Sequence, residues 1–342
     1  MVKVLRATHL ELNAAVQALR DGELVAFPTE TVYGLGAHAG HPAALRRMFE
    51  LKGRPTSHPV IVHLDSVRFL TRWARDVPPA AERLAEAFWP GPLTLVLPRA
   101  YNVQTLVTGG QETVAVRIPA HPMAQQLLTA FGGGIAAPSA NRYGRVSPTR
   151  AEHVREEFGD AVRVILDGGD CKLGLESTIV ACLEGTVRLL RPGSISLSQL
   201  KHVVGDVLTQ ASADAPRAPG DRSAHYAPAT PLATAPSEEI EQLADDVSGR
   251  GRRIAVLAQR PPMRTHQFVT WINAGARPEA YGHALYAHLR SLDRSGCVRI
   301  LVQTVPGDER WDAVRDRLTR AAAASVEEID ASDDSLAVGV LP

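Results

Sequence analysis

The sequence predicts an α/β protein with two domains, the first built on a twisted sheet of mixed direction and the second smaller and doubly wound. Short β-rich runs alternate with amphipathic stretches through the first 200 residues. Residues 207–236 are rich in Ala, Pro, Ser, Thr and Asp without sustained periodicity, which indicates a linker. Beyond it, residues 253–258 and 298–304 are typical of buried parallel strands. The predicted boundaries are therefore 1–206, 207–236 and 237–342.

The elements of the first domain follow from local signals. A capping box of Thr8 and Glu11 begins the first predicted helix, which ends at Gly22. Apolar β-rich runs predict strands over 24–27, 60–64, 93–97, 114–118, 134–137 and 162–166. Amphipathic periodicity predicts helices over 42–51, 80–88, 123–131 and 150–158, the last preceded by a capping box of Thr149 and Glu152. A hairpin is expected to turn at Glu184 and Gly185, and a helix over 308–324 closes the second domain.

Composition excludes several classes of protein. The chain has 342 residues, 45% of them hydrophobic and 22% charged, as in ordinary globular proteins. Its formal net charge of zero argues against a strongly basic nucleic-acid-binding surface. The three cysteines form no C-x-x-C pair, which indicates a reducing compartment and no zinc site. Without a long apolar run or a signal-peptide core, we expect a cytoplasmic protein with no membrane partner.

The stretch "PTETVYGLGAHA" contains Gly34, Gly36 and Ala39 in the spacing of a dinucleotide-binding fingerprint. That fingerprint needs its first glycine at the turn from strand to helix. Here the predicted strand stops at Pro28, and residues 28–33 separate it from Gly34, so we reject that interpretation. None of the four lysines lies in a P-loop motif, and the sequences H-E-x-x-H and G-x-S-x-G are absent.

Two cations follow the second predicted helix. Lys52 and Arg54 flank the helix-ending Gly53, and Pro55 and Pro59 stiffen the loop that leads into the next strand. We expect this turn to be polar and exposed, and a lysine and an arginine on a rigid turn suit a polyphosphate. The alternative is a basic helix C-terminus that complements the helix dipole.

Arg117 lies in the otherwise apolar strand "TVAVRIP", on the face of Thr113 and Ala115. It is either an edge-strand residue that reaches water or a buried anchor for a carboxylate, and both interpretations stay open.

A polar loop, "APSANRYGRVSPT", follows a glycine-rich strand and leads into a helix. Its hydroxyl and amide side chains could form a phosphate or ribose site at the helix N-terminus; they are Ser139, Asn141, Ser147 and Thr149. A polar loop with an N-cap is the alternative.

Taken in order, the motifs "PTETVYGLG", "KGRP" with "PVIVH", "FWPGPLTLVL", "VAVRIP", "APSANRYGRVSPT", "LESTIV" and "RPGSIS" closely resemble the YrdC-type domain of threonylcarbamoyl-adenylate synthases. The resemblance covers about residues 5–205. "HYAP", followed by a second α/β domain, is similar to the longer form of that family. The implied fold is a YrdC-like twisted mixed sheet plus a Rossmann-like C-terminal domain.

The resemblance implies synthesis of L-threonylcarbamoyl-AMP from L-threonine, bicarbonate or CO2, and ATP, with release of pyrophosphate. The product would pass to tRNA-modifying threonylcarbamoyl transferase proteins, which modify adenosine next to the anticodon. We expect Mg²⁺ to be carried by the ATP phosphates and water rather than by protein ligands. A weak contact with RNA is a further expectation.

The resemblance also implies site residues. Those around threonine would be Thr31, His63, Arg117, Ser139 and Ser177, with Arg117 binding the carboxylate. Those facing ATP would be Lys52, Arg54, His58, Thr113, Asn141, Ser147, Thr149 and Arg191, with Lys52 and Arg54 as the catalytic pair. Tyr226, from the linker, would close over the site. Family members commonly have an amide where this chain has His58, whose charge would make ATP binding depend on pH.

Two other functions fit the sequence less well. A double-stranded RNA-binding or ribosome-maturation module would use Lys52, Arg54, Arg142 and Arg145, but the neutral net charge and the lack of aromatic stacking motifs count against it. A carbamoyltransferase of the hydrogenase-maturation type would need cysteine-rich zinc modules, which three scattered cysteines cannot supply.

Overall fold

The structure is a computed structural model that describes residues 9–209, 215–220 and 224–332. These residues form two compact units. The first contains residues 9–143, 147–209, 215–220 and 308–313, and the second contains residues 144–146, 224–307 and 314–332.

A sheet of nine strands is the framework of the first unit, as described. Its strands are β1 (Val25–Phe27), β2 (Gly34–His38), β3 (Ile61–His63), β4 (Leu93–Pro98), β5 (Thr113–Arg117), β6 (Ile135–Ala136), β7 (Val164–Ile165), β8 (Thr178–Leu183) and β9 (Thr186–Arg191). They lie in the order β7-β1-β2-β6-β3-β5-β4-β8-β9. The pairs β1 with β7, β3 with β5 and β4 with β8 are parallel, and the other neighbours are antiparallel. The predicted sheet of mixed direction is thus confirmed.

Helices pack on both faces of this sheet. They are α1 (His9–Arg20), α2 (Pro42–Lys52), α3 (Pro79–Phe88), α4 (Thr105–Thr108), α5 (Pro122–Phe131), α6 (Ala151–Phe158) and α7 (Leu197–Val204). The helix α2 ends because Gly53 adopts a left-handed conformation, with φ 65°, and donates its N–H to the carbonyl of Glu50. Short 3-10 helices cover Val67–Arg72 and Gly159–Ala161.

Strand alternation gives the two faces of the sheet different coverings. Residues such as Ala26, Val62 and Val116 belong to a large core with α2, α3, α6 and α7. On the opposite face, Phe27 and Ile135 pack under α1 and α5. The rest of that face forms a small apolar cluster with one residue of the segment 215–220; its members are Ile61, Val96, Ala115, Ile179, Ala181 and Ala218.

Most predicted elements are present within a few residues of their expected bounds, and two differences have clear causes. The strand β2 was not predicted, because glycines at Gly34 and Gly36 weaken the strand signal. The capping box of Thr149 does not form: the helix begins after Arg150, and the Thr149 N–H donates to His153 Nδ1 at 3.3 Å. The other capping residue, Thr8, lies outside the described residues. The hairpin turn is confirmed, with positive φ at Glu184 and Gly185.

The second unit has a parallel sheet of four described strands, which confirms the doubly wound prediction. The strands are β10 (Leu232–Ala235), β11 (Ile254–Ala258), β12 (Val269–Asn273) and β13 (Ile300–Gln303), in the order β10-β13-β11-β12. The helices are α8 (Ile240–Ser248), α9 (Pro278–Asp293) and α10 (Asp312–Ser332). The first two residues of α10, and the 3-10 helix over Glu309–Trp311 before it, belong to the first unit. The strand β10 comes from the segment that the sequence predicts as linker. None of the helices in the described part of the chain has the length and hydropathy of a membrane span.

Candidate functional site

The polar residues singled out in the sequence meet on one face of the first unit's sheet. Alternation along the strands places His63, Thr94 and Arg117 on the face of the small apolar cluster that includes Ile61 and Ala115. Arg191 joins this face because it is paired in register with Ile179. Four strands therefore bring cationic and hydroxyl side chains to one surface.

Arg117 is a buried anchor, and the interpretation as an edge-strand residue is wrong. Its strand, β5, lies between β3 and β4, and the residue is 3% exposed. The guanidinium donates from Nε to the Gly91 carbonyl at 3.2 Å and from Nη1 to Thr31 Oγ1 at 2.9 Å. Its Nη2 forms an ion pair with Glu30 Oε1 at 2.6 Å. A buried guanidinium needs such partners because desolvation of its charge is costly.

Sequence reasoning missed Glu30, the carboxylate partner of Arg117. The residue is 7% exposed, and its second oxygen, Oε2, accepts the N–H of Ala120 at 3.0 Å. The available signal was a single acidic residue between Thr29 and Thr31 in a segment without other charges.

Thr31 is held by the turn in which it lies. Its hydroxyl is 2.8 Å from that of Thr29, which in turn donates to the Val32 carbonyl at 2.6 Å. Both threonines are buried. The turn therefore fixes the Thr31 Oγ1 that contacts Arg117.

The glycines of the same motif pack against side chains of the sheet core. A Cβ atom at Gly36 would lie 2.9 Å from both Ile135 Cγ2 and Phe27 Cε1. One at Gly34 would lie 3.2 Å from Ala137 Cβ. Missing side chains thus make room for the aromatic ring of Phe27 between β2 and the helices above it.

Lys52 and Arg54 are buried, although the loop reads as an exposed polar turn in the sequence. The Lys52 ammonium donates to the Ser139 carbonyl at 2.6 Å and to the Asn141 carbonyl. Arg54 donates from Nη2 to the Pro59 carbonyl at 2.7 Å, and its guanidinium lies 5.6 Å from the ring centre of Tyr143. Burial, and then the neighbouring charge of Arg54, lowers the pKa of Lys52 well below its usual range.

The loop after β6 lies beside the segment that carries Thr31. Backbone hydrogen bonds join Tyr33 to the Pro148 carbonyl at 2.9 Å and Ala140 to the Tyr33 carbonyl at 2.8 Å. Its predicted site residues Asn141, Ser147 and Thr149 are all buried. The Ser147 hydroxyl donates to Glu176 Oε1 at 2.6 Å. The structure thus brings this loop, Lys52 and Thr31 together.

Ser177 and Arg191 form a second polar group at the β8–β9 hairpin. The Ser177 hydroxyl lies 2.7 Å from that of Thr94, and Arg191 Nη2 donates to the Ser177 carbonyl at 3.0 Å. Arg191 Nη1 also donates to the carbonyl of Pro219 at 2.8 Å. Arg191 therefore links the hairpin to the segment 215–220.

His63 is an uncharged member of the site. It is buried and lies edge-on to Phe27, with ring centres 5.9 Å apart. Burial, and then the charge of Arg117, lowers the pKa of His63 to about 3. Its Nδ1 has no hydrogen-bond partner among the residues that the structure describes.

The remaining predicted residues are less closely tied to the group. His58 is half-buried, with Nδ1 3.3 Å from the hydroxyl of Tyr143, and Thr113 lies two residues before Ala115 on the site face. Tyr226 belongs to the second unit, where its ring stacks on Tyr286 with centres 6.0 Å apart. Its closure over a nucleotide stays a prediction.

The described residues offer few groups that could bind a metal ion or act as a reactive thiol. Within the described ranges, no cluster of three or more His, Cys, Asp or Glu side chains could hold a metal ion. Burial raises the pKa of the thiols of Cys171 and Cys182, so neither is disposed to act as a thiolate nucleophile.

Comparisons with known proteins agree with this geometry. The family model of Sua5, YciO and YrdC, described as "Telomere recombination", matches residues 17–193, and one described as "Threonylcarbamoyl-AMP synthase, C-terminal domain" matches residues 195–323. The chain is 38% identical to the threonylcarbamoyl-AMP synthase of Pyrococcus abyssi over 335 residues, which are 95% of this chain and 97% of that relative. The enzyme of the same name from Bacillus subtilis is 38% identical over 325 residues, or 92% and 94% of the two chains. The crystal structure of P. abyssi Sua5 complexed with L-threonine superposes with a TM-score of 0.86, at 38% identity over 94% of this chain and 96% of that one.

Proposed function

The chain belongs to the Sua5/YciO/YrdC family, and we propose that it is a threonylcarbamoyl-AMP synthase. It makes L-threonylcarbamoyl-AMP and pyrophosphate from L-threonine, bicarbonate or CO2, and ATP. The observation that carries this proposal is the buried Arg117 guanidinium beside Thr31, on the same sheet face as the cation Arg191 and close to the loop that holds Lys52. An amino-acid carboxylate and a polyphosphate are the two anions that such a site suits.

The threonine end of the reaction requires an oriented carboxylate and an amine that binds as ammonium and gives its proton to water or bicarbonate before it reacts. Arg117 binds the carboxylate as a bidentate fork, with Thr31 beside it. The uncharged His63 and the hydroxyl of Ser177 line the same face. The neutral amine attacks CO2 and loses a proton to water to give a carbamate, whose oxygen then attacks the α-phosphate of ATP in line and displaces pyrophosphate.

The nucleotide end requires stabilisation of phosphate charge. Lys52 and Arg191 are held by main-chain carbonyls, which are neutral, so their positive charge remains to balance the polyphosphate. A bound polyphosphate favours the ammonium form of Lys52 against the effect of burial. Arg54, His58, Thr113, Asn141, Ser147 and Thr149 complete the proposed ATP site, and Tyr226 is proposed to cover it.

We further propose that Mg²⁺ enters with ATP, held by phosphate oxygens and water. The nearby carboxylates are already engaged: Glu30 with Arg117 and Ala120, and Glu176 with Ser147. The ion would neutralise phosphate charge as pyrophosphate leaves. We also propose that the protein acts in the cytoplasm, and that its product passes to tRNA-modifying threonylcarbamoyl transferase proteins.

The proposal is tested by measuring pyrophosphate release from ATP with and without L-threonine and bicarbonate, and by detecting the adenylate product by mass spectrometry. Release should require both co-substrates and should be lost in Lys52→Ala. The control is Lys201→Ala, which removes an exposed lysine of α7. Pyrophosphate release at the same rate with and without L-threonine would refute the proposal. Tight, salt-dependent binding of double-stranded RNA without turnover would favour the RNA-binding alternative.

A further inference from the structure

We propose that Glu30 is a positioning and specificity residue of the threonine site. Its carboxylate orients the Arg117 guanidinium for the substrate and balances its charge, so that the site accepts a zwitterionic amino acid in preference to a simple carboxylic acid. The inference rests on the proposed function, because it concerns the amino-acid end of that site.

The two oxygens of Glu30 accept hydrogen bonds from two different donors. Oε1 accepts from Arg117 Nη2 at 2.6 Å, and Oε2 accepts the backbone N–H of Ala120 at 3.0 Å. Ala120 lies in the turn between β5 and α5, three residues after Arg117. Glu30 thus connects the guanidinium of Arg117 to the turn that follows β5, the strand of Arg117. This connection limits movement of the Arg117 side chain.

The hydrogen bonds of Arg117 within the described residues leave two of its N–H groups available for a substrate. A guanidinium has five N–H groups, one on Nε and two on each terminal nitrogen. Among the described residues, Gly91 takes the one on Nε, Thr31 takes one on Nη1 and Glu30 takes one on Nη2. One N–H therefore remains on each terminal nitrogen, and a bidentate pair with a carboxylate takes one N–H from each of two nitrogens. Loss of the Glu30 contact would leave the guanidinium held, among the described residues, only by Gly91 and Thr31.

The charges of the pair define what the site can admit. The side chains of Arg117 and Glu30 are 4% and 9% exposed, so water screens their charges poorly. Together they are neutral, and threonine as a zwitterion is neutral as well, so its entry adds no net charge to a buried site. A hydroxy acid without the ammonium group brings an unbalanced negative charge. Glu30 should therefore disfavour such acids.

A glutamine at this position cannot make both contacts. Both neighbours of Glu30 are donors, the guanidinium and the Ala120 N–H, and a carboxylate accepts from both. The amide of Glu30→Gln has one accepting oxygen, so its NH2 group must face a donor whichever way it is turned. Glu30→Asp keeps two accepting oxygens and the charge but is shorter by one methylene.

The experiment uses full-length wild type, Glu30→Gln and Glu30→Asp. The matched control is Glu112→Gln, which removes another carboxylate that binds an arginine, Arg99, at 2.6 Å but is 70% exposed. Titration calorimetry measures the dissociation constants of L-threonine and of 3-hydroxybutyrate, which lacks the amine. Steady-state assays give KM for threonine and for ATP, and circular dichroism checks the fold.

In Glu30→Gln we expect the dissociation constant and KM for threonine to rise at least tenfold, with KM for ATP within twofold of wild type. The preference for threonine over 3-hydroxybutyrate should fall at least tenfold. Glu30→Asp should bind threonine more weakly but keep that preference, and Glu112→Gln should match wild type. The Asp variant decides the matter if the Gln variant does not fold.

The inference is overturned if Glu30→Gln binds threonine like wild type, if its preference is unchanged, or if KM rises equally for ATP and threonine. If Glu30→Gln does not fold, an Asp variant that loses the preference overturns it as well. A wild-type protein that binds threonine but makes no adenylate would refute the proposed function, and calorimetry would still judge the role of Glu30.

Discussion

Acidification should destabilise the first unit through His63, and the effect should disappear in His63→Gln. Burial and the charge of Arg117 lower the pKa of His63 from 6.5 to about 3, so the folded state holds this imidazole neutral. The unfolded chain binds a proton with the ordinary pKa of about 6.5. Stability from neutral His63 is therefore fully present above pH 6.5 and is lost progressively as pH falls toward 3.

The magnitude follows from linkage. At pH 5 the unfolded imidazole lies about 1.5 units below its pKa, and each unit corresponds to about 1.4 kcal/mol, so the unfolded state gains about 2 kcal/mol. At pH 7 its gain is close to zero. Lowering pH from 7 to 5 should thus cost wild type about 2 kcal/mol more than it costs His63→Gln.

Hydrogen exchange followed by mass spectrometry measures this difference in the full chain, on peptides that contain β3 and β5. The pKa values of His38 and His121 are also lowered by burial, but these groups titrate equally in both proteins and cancel in the difference. The pH-independent cost of the substitution cancels in the same way. An equal loss of protection in both proteins between pH 7 and 5, or a His63 imidazole that titrates near pH 6.5 by NMR, would refute the reasoning.

Other perturbations test the remaining parts of the site. Lys52→Ala and Arg54→Ala should each lower adenylate formation at least 100-fold, about 3 kcal/mol of transition-state stabilisation, and near-normal turnover in both would contradict their role. Arg117→Lys should raise KM for threonine at least tenfold, since an ammonium cannot form the bidentate pair; an unchanged KM would mean that it does not bind substrate. Gly36→Ala should lower the free energy of unfolding by about 1–3 kcal/mol, because its Cβ would overlap two side chains, whereas Gly34→Ala should lower it less. Denaturant titration compares the two variants, and equal losses of stability would refute the packing argument.

The limits of sequence-based prediction are clear at Arg117. Alternation correctly placed it on the face of Ala115, but its burial depends on strand order. That order puts β5 between β3 and β4. The local sequences of these strands do not indicate which strands they pair with. A choice between an edge and an interior strand was therefore not available from the sequence.

Glu30 was missed and the burial of Lys52 was not predicted from the sequence, and both errors have one physical reason. Charged residues in loops and at helix ends are usually solvated, so neither was expected to be buried. Each is buried because a partner comes from far along the chain: Arg117 for Glu30, and the carbonyl of Ser139 for Lys52. The strand β2 was missed because its glycines obscure the pattern, although the packing of Phe27 requires them.

The cations of the site share one kind of anchor, the main-chain carbonyl. Lys52 binds that of Ser139, Arg54 that of Pro59, Arg117 that of Gly91 and Arg191 that of Pro219. Every amino acid carries this carbonyl, so exchange of an anchoring residue removes no hydrogen-bond partner. Gly91 is a special case, because a Cβ there would lie 2.2 Å from the carbonyl oxygen of Phe88 and the backbone would have to shift. Correlated substitutions among homologues should therefore not reveal these contacts. Only a change in the path of the backbone, such as an insertion in an anchoring loop, would disturb them.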